Sequence, residues 1–406
     1  MYKEAPKGWQ FVPADKYCAE VTDGTHDSPK PIEYSGHYLL TSKNITSGIL
    51  NYENAYCISE EDFNAVNKRS KVNQYDLLYS MIGTVGESCI VDKEIIDFAI
   101  KNVGLFRLNG DLLKAKWLNY FFKSNIAKTY VEKSLKGATQ KYIALGVLRK
   151  FPILIPSTTA EQQEIVHVLD TMSDIIRLRE ECISHAQDLI PALFQEMFDN
   201  PQTNKKNWQI CCLKDLAKID RQNISPEELK TKQYPYIGLE HIEKETGRIL
   251  VDPHSQQDID LKSNKFFFKN NHVLYGKLRP YLNKVALPDF DGVCSTDIFP
   301  LLPLDGISNK YFLKALMSTS YFVNMANSQS SGANLPRIGT TALENIKVFK
   351  PDYTLQEQFA QKVIEIEAYI KEQQEELANA KQMFQSLLHH AFTGELTKHK
   401  YGEINE

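Results

Sequence analysis

A chain of 406 residues, 42% hydrophobic and 24% charged, has room for two or three domains and is not collagen-like, low-complexity or wholly disordered. Its 47 Lys and Arg face 51 Asp and Glu, for a net charge of −4. That excludes a polycation, so any nucleic-acid surface must be a local basic patch. The opening Met1-Tyr2-Lys3-Glu4-Ala5-Pro6 lacks the apolar core of a signal peptide, and no uncharged apolar run approaches the ~18 residues of a membrane span. Seven scattered cysteines without Cys-x-x-Cys spacing argue against structural zinc and against a disulfide framework. The expectation is a cytoplasmic protein with reduced thiols.

From the N-terminus, short apolar runs such as His37-Tyr38-Leu39-Leu40 and Cys89-Ile90-Val91 alternate with Gly, Pro, Asn and Asp, which predicts β-rich structure. Aromatics and Leu at helical spacing predict a helix over 113–134. Phe151-Pro152-Ile153-Leu154-Ile155-Pro156 then leads into the helix start Glu161-Gln162-Gln163. The same order returns in the second half. Gly8-Trp9-Gln10 is echoed by Asn207-Trp208-Gln209, Ile49-Leu50 by Ile249-Leu250, and Asp76-Leu77-Leu78-Tyr79 by His272-Val273-Leu274-Tyr275. Gly137-Ala138-Thr139 is echoed by Gly332-Ala333-Asn334, and the proline-ended run by Ile346-Lys347-Val348-Phe349-Lys350-Pro351, followed by Gln356-Glu357-Gln358. A second helix is predicted over 308–328. Six collinear matches define an internal repeat of two α+β units.

Each unit ends in a heptad helix. In the first, Ile165, Leu169, Met172, Ile176, Ile183, Ile190, Leu193 and Met197 follow steps of four and three, with Arg179 and Ala186 as weak points. In the second, Phe359, Val363, Ile366, Ile370, Leu377, Phe384, Leu387 and Ala391 do the same, with Gln373 and Ala380 weak. Sustained heptads mean a coiled-coil seam, here Leu169, Met172, Ile176 and Ile183 against Val363, Ile366, Ile370 and Leu377. The pattern leaves parallel and antiparallel pairing open. Each helix would extend on the order of 55 Å, and Pro191 should kink the first or end it early. The expected domains are 1–157, a spacer helix 158–200, 201–352, a second spacer helix 353–396, and a tail 397–406. Two similar domains on paired helices amount to a ruler.

Catalytic motifs are missing. There is no phosphate-binding Gly-x-x-x-x-Gly-Lys-Ser/Thr, no Gly-x-Ser-x-Gly, no Gly-x-Gly-x-x-Gly, and no Asn/Asp-Pro-Pro-Tyr/Phe. Asp220 with Glu228-Leu229-Lys230 is a poor nuclease candidate, because Glu228 reads as an exposed helix start, and His389-His390 lacks ligand spacing. No catalytic or metal site is expected. The DNA-contact candidates are basic residues in turn-rich segments beside Asn, Ser, Thr or Tyr: Lys277 and Arg279 first, then Arg337, Lys43, Lys136 and Lys141. Arg suits guanine through its two-pronged fork, and Asn or Gln suits adenine. Tyr79 and Tyr275 read instead as buried packing residues.

The chain resembles the specificity subunit of type I restriction-modification enzymes. The resemblance lies in Val21-Thr22-Asp23-Gly24-Thr25-His26-Asp27-Ser28-Pro29, Leu77-Leu78-Tyr79-Ser80-Met81-Ile82-Gly83-Thr84-Val85-Gly86 and Lys136-Gly137-Ala138-Thr139-Gln140-Lys141. Its counterparts in the second half are Val273-Leu274-Tyr275-Gly276-Lys277-Leu278-Arg279-Pro280-Tyr281-Leu282-Asn283-Lys284 and Ser331-Gly332-Ala333-Asn334-Leu335-Pro336-Arg337. The resemblance implies two target-recognition domains, each reading one half of a bipartite double-stranded DNA site, separated by two helices paired as an antiparallel coiled coil. It implies two methyltransferase subunits as partners, which carry S-adenosylmethionine, and a motor-nuclease subunit that uses ATP and Mg. This chain would bind none of these cofactors and would be non-catalytic by itself. A stand-alone restriction enzyme and a scaffold that touches no DNA are the competing readings; magnesium-dependent cleavage would mark the first, absent DNA affinity the second.

Overall fold

The computed structural model describes residues 4–46, 48–232, 234–252 and 263–397. Beyond Thr397 the expected tail 397–406 lies outside the described residues. The chain divides into two compact units: residues up to Leu178 together with those from Glu376 onward, and Arg179–Glu375.

In the first unit a four-stranded antiparallel sheet runs in the order Glu20–Asp23, Val103–Arg107, Leu77–Ser80, Ser88–Ile90. A smaller sheet of Tyr56–Cys57, Tyr38–Leu40 and Phe98–Ile100 packs beside it, and Gln10–Pro13 pairs with Pro152–Ile155. The second unit repeats the plan with Ala217–Ile219, Ile298–Pro303, Val273–Gly276 and Val285–Ala286. Its flanking sheet has four strands rather than three, and Gln209–Cys212 pairs with Lys347–Lys350.

The single helices expected over 113–134 and 308–328 are each two helices, Leu112–Lys123 with Asn125–Ser134 and Lys310–Ser318 with Ser320–Ser328. One hydroxyl residue makes each break. Ser124 and Thr319 take extended backbone, and their side chains accept the N–H of Ala127 and Phe322, which starts a new helix at an angle the apolar spacing does not reveal.

The long helices span Thr159–Phe198 and Tyr353–Phe392, 40 residues each. Pro191 does not end the first: the helix continues to Phe198. Pro191 is exposed, while Phe194 and Phe198 beyond it are buried, and their packing outweighs the one lost backbone hydrogen bond. Each helix belongs to both units. In the first unit, Ile165, Leu169 and Met172 share a core with Ala380, Phe384, Leu388 and Phe392, the last ring 5.0 Å from Trp117. In the second, Phe194 and Phe198 share a core with Phe359 and Val363, with Phe198 lying 5.3 Å from Phe359 and 5.0 Å from Phe312. The beginning of each helix therefore meets the end of the other, and the pairing is antiparallel. Of the seam, Leu169, Met172, Ile183, Val363 and Ile370 are buried, and Ile176, Ile366 and Leu377 are half-buried. Two weak points answer each other: Arg179 Nη1 donates to Gln373 Oε1 at 2.8 Å, 194 residues away. The other two, Ala186 and Ala380, are both buried.

Replacing Phe359 by Ala deletes a fully buried ring in contact with two others. It should cost about 3–5 kcal/mol of unfolding free energy, measured as a lower denaturant midpoint with an unchanged slope.

Candidate nucleic-acid interface

In the main sheet of the second unit, Gly276 pairs with Ile298 at one end of the two central strands, and Ile219 pairs with Leu301 nearby. The segments that leave or enter the sheet at that end are Asp220-Arg221, Thr296-Asp297 and Lys277–Asn283. A fourth, Ser331–Arg337, is tied to them by backbone hydrogen bonds. Arg279 N–H donates to Pro336 O (2.7 Å), Ile338 N–H to Lys277 O (3.1 Å), and Ser331 and Arg337 exchange both bonds (3.0 and 2.9 Å). We call this four-loop arrangement the clasp. Arg279 sits in it with a left-handed backbone, φ 53°, and Gly332 with φ 102° turns the Ser331–Arg337 loop.

The clasp brings together three of the residues chosen from sequence, Lys277, Arg279 and Arg337. A single carboxylate organises two of them: Asp297 Oδ1 lies 3.6 Å from Lys277 Nζ and 3.4 Å from Arg337 Nε. Lys277 Nζ also stands 5.3 Å from the centre of the Phe299 ring. The Arg279 side chain is exposed and makes no ion pair among the described residues. Arg221 Nη1 donates to Thr340 Oγ1 at 3.4 Å, and it lines a cleft of about 310 Å³ with Lys277, Thr296, Arg337 and Thr340. Sequence reasoning missed Arg221 and Asp297. Both stand in turns with no repeat or periodicity to mark them; the one available signal was adjacency to a sheet end.

The first unit has the same clasp. Ser80 pairs with Val103 and Gly104 with Asp23 at the sheet end, Gly83 N–H donates to Lys141 O (3.1 Å), and Ile143 N–H to Met81 O (2.9 Å). Lys136 and Tyr142 exchange both backbone bonds at 2.9 Å. Lys136 and Lys141 thus sit in the clasp, exposed. Lys43 is exposed in the turn Ser42–Asn44, whose Ser42 Oγ donates to Asn102 O, so it borders the same end. Asn102 Oδ1 lies 2.7 Å from His26 Nδ1, and the buried Asp23 carboxylate pairs with Arg69 and with His26 Nε2 at 3.3 Å. Arg69 is one of the basic residues that the sequence offers in the turn-rich segments of this unit, whereas His26 and Asn102 went unnoticed as contact candidates, because they come from separate segments. Gly24 is required there: a Cβ would strike the carbonyl of Ile100.

The backbone correspondence matches Met81 to Lys277, Gly83 to Arg279, Asn102 to Asp297 and Tyr142 to Arg337. The two units present one frame with different side chains.

Tyr79 and Tyr275 are packing residues, 1% and 2% exposed, and burial pushes both phenols above their usual range. Glu228 caps a short helix, its Oε2 accepting the N–H of Ser225 at 3.0 Å, while the Lys230 side chain lies outside the described residues. His390 pairs with Glu395 at 2.6 Å. Among the described residues no group of three or more His, Cys, Asp or Glu is placed to hold a metal ion, and no helix is long and apolar enough to cross a membrane.

A double frame that presents Arg, Lys, Asn and Tyr at the ends of two sheets fits a DNA-reading protein, and comparison with known proteins agrees. Residues 16–185 and 205–379 each match the type I restriction modification DNA specificity domain, and the chain belongs to that family. The type I restriction enzyme EcoDI specificity subunit of Escherichia coli is 28% identical over 327 residues, 70% of this chain and 71% of that protein. The MjaIX specificity subunit of Methanocaldococcus jannaschii is 22% identical over 96% of this chain and 94% of its own length. In fold, the chain is similar to a type I restriction-modification S subunit from M. genitalium, with TM-score 0.54, 15% identity, and 96% and 99% of the two chains covered. A chain from a structure addressing complex assembly and conformational transition of the type I R-M system also gives TM-score 0.54, at 14% identity and 97% and 100% coverage.

Gly137 has φ 94°, and a Cβ there would run into the carbonyl of Gln140. Gly137→Ala should therefore destabilise the clasp by roughly 1–2 kcal/mol. Hydrogen exchange should speed up at the Lys136, Tyr142 and Ile143 amides and stay slow in the sheet.

Proposed function

We propose that this chain is the address-reading component of a type I restriction-modification complex, with each sheet-end clasp reading one half of a bipartite DNA site. The observation that carries the reading is the duplicated clasp within two family domains. A scaffold needs no such loops, and the same backbone frame with four exchanged side chains suits two readers of different short sequences.

Phosphate contacts from exposed Lys and Arg would position the chain on the duplex, and base-edge contacts in the groove would specify sequence. Linking two weak readers makes the second binding event intramolecular, which raises affinity without a new contact and rejects sites of the wrong spacing. The long helices, each shared by both units, are suited to set that spacing and to dock two methyltransferase subunits. S-adenosylmethionine would reside on those subunits, and ATP and Mg on a motor-nuclease subunit, in the cytoplasm. The chain itself supplies recognition and assembly.

Single-molecule methylation maps of cells with the gene intact and deleted test the reading: one split, adenine-methylated motif should disappear on deletion. If no motif changes although the chain co-purifies with a methyltransferase, the reading is wrong. Inserting two helical turns into each long helix should change the gap between half-sites and leave the half-sites themselves unaltered. Arg279→Ala, at an exposed cation without an ion pair, should weaken binding evenly across sequences. It should also reduce the slope of log K against log salt by about 0.9.

A further inference from the structure

The frame shared by the two clasps isolates what differs between them. At four matched positions the first unit has Met81, Gly83, Asn102 and Tyr142, all uncharged, and the second has Lys277, Arg279, Asp297 and Arg337, all charged. The shared clasp bonds give both units one backbone frame, so the exchange is one of side chains.

Among these four residues, Arg337 is fixed in its main chain on both sides. Its N–H and C=O both bond Ser331, its neighbour Ile338 is 1% exposed and donates to Lys277 O, and Pro336 O accepts from Arg279. Asp297 is fixed as well: its C=O accepts from Lys277 N–H at 3.0 Å, and its N–H donates to Ser295 Oγ at 3.2 Å. The Asp297 carboxylate meets the guanidinium on its Nε side at 3.4 Å, while the Arg337 side chain remains 47% exposed. A guanidinium held by its Nε edge keeps its two terminal nitrogens free as a fork, and two parallel donors match the O6 and N7 acceptors of guanine. Asp297 also holds Lys277, which leaves that ammonium a weaker competitor for the DNA. Arg279 has no such buttress and suits phosphate, where a mobile cation is enough.

We propose that Arg337, oriented by Asp297 through its Nε, reads a guanine in the half-site of the second unit. Asp297 acts as the positioning residue, and Tyr142 in the matched place gives the first unit a different base preference. The inference rests on the DNA-reading function proposed above.

The test begins with methylation maps of cells carrying Arg337→Ala. The expected result is that one guanine position in one half-site loses its preference by on the order of 10- to 100-fold, with the other half-site and the gap intact. Asp297→Asn should relax the same position to a smaller degree. An unchanged motif methylated more weakly throughout would make Arg337 a phosphate contact and overturn the proposal. A parent strain without any split motif would instead overturn the function on which it rests.

A second measurement avoids variants that assemble poorly. The wild-type complex is titrated with duplexes in which each guanine of the half-site in turn is replaced by 7-deazaguanine, which lacks the N7 acceptor. One replacement should weaken binding about tenfold, and the Arg337→Ala complex, where it assembles, should be indifferent to that same replacement. A wild-type complex insensitive at every guanine, or equal sensitivity in both proteins, would refute the assignment.

Discussion

The structure depends on two long helices that cannot bury their own apolar seams. Each supplies the first half of its seam to one unit's core and the second half to the other's, so neither domain is complete without both helices. Phe392 closes over Trp117 and Phe121 in the first unit, as Phe198 does over Phe312 in the second. Burying rings of this size contributes roughly 1.5–3 kcal/mol each, and two such contacts per unit are a large share of the stability a domain usually has. The clasp loops are therefore mounted on cores that the long helices themselves complete. The Arg179–Gln373 bond adds selectivity of another kind: a polar pair in an apolar seam meets in one register, and a slip of one heptad breaks it.

The second consequence concerns the sheet ends. Antiparallel pairing returns the chain to the same edge after every two strands, so residues far apart in sequence, Arg221, Lys277, Asp297 and Arg337, collect there. Interlocking main-chain bonds then tie the loops to one another. Because backbone bonds carry the geometry, the side chains are free to vary, and the two units have used that freedom.

Periodicity and repetition made the architecture legible. The heptads of both helices and the collinear words of the repeat are properties of many residues, which random matching does not imitate. The antiparallel sense was not contained in the heptads, since a and d positions look alike in either direction; it needed Phe359 to be seen beside Phe198, and Phe384 in one core with Ile165. The breaks at Ser124 and Thr319 were invisible for a related reason, because a hydroxyl residue inside an apolar rhythm reads as a polar face until its backbone is seen. In the site, Lys277, Arg279 and Arg337 could be chosen because they are basic residues in turn-rich segments. For Arg221, Asp297, His26 and Asn102, only the folded sheet reveals their neighbours.

Asp297 is the residue whose presence is hardest to explain by affinity or stability. A carboxylate near a phosphate backbone repels its ligand, and partly exposed ion pairs such as its bonds to Lys277 and Arg337 contribute only about 0–1 kcal/mol to folding. Removing it would make the clasp more basic and, on the function proposed above, a stronger binder of any DNA. For a chain with a net charge of −4 that must ignore nearly all the DNA it meets, this is the wrong direction. Specificity is a difference of affinities, and an element that lowers binding to every sequence while sharpening the geometry for one raises that difference. The matched position of the first unit holds the neutral Asn102, opposite Tyr142 rather than an arginine in the matched frame, so the charge and the residue it would orient are exchanged together.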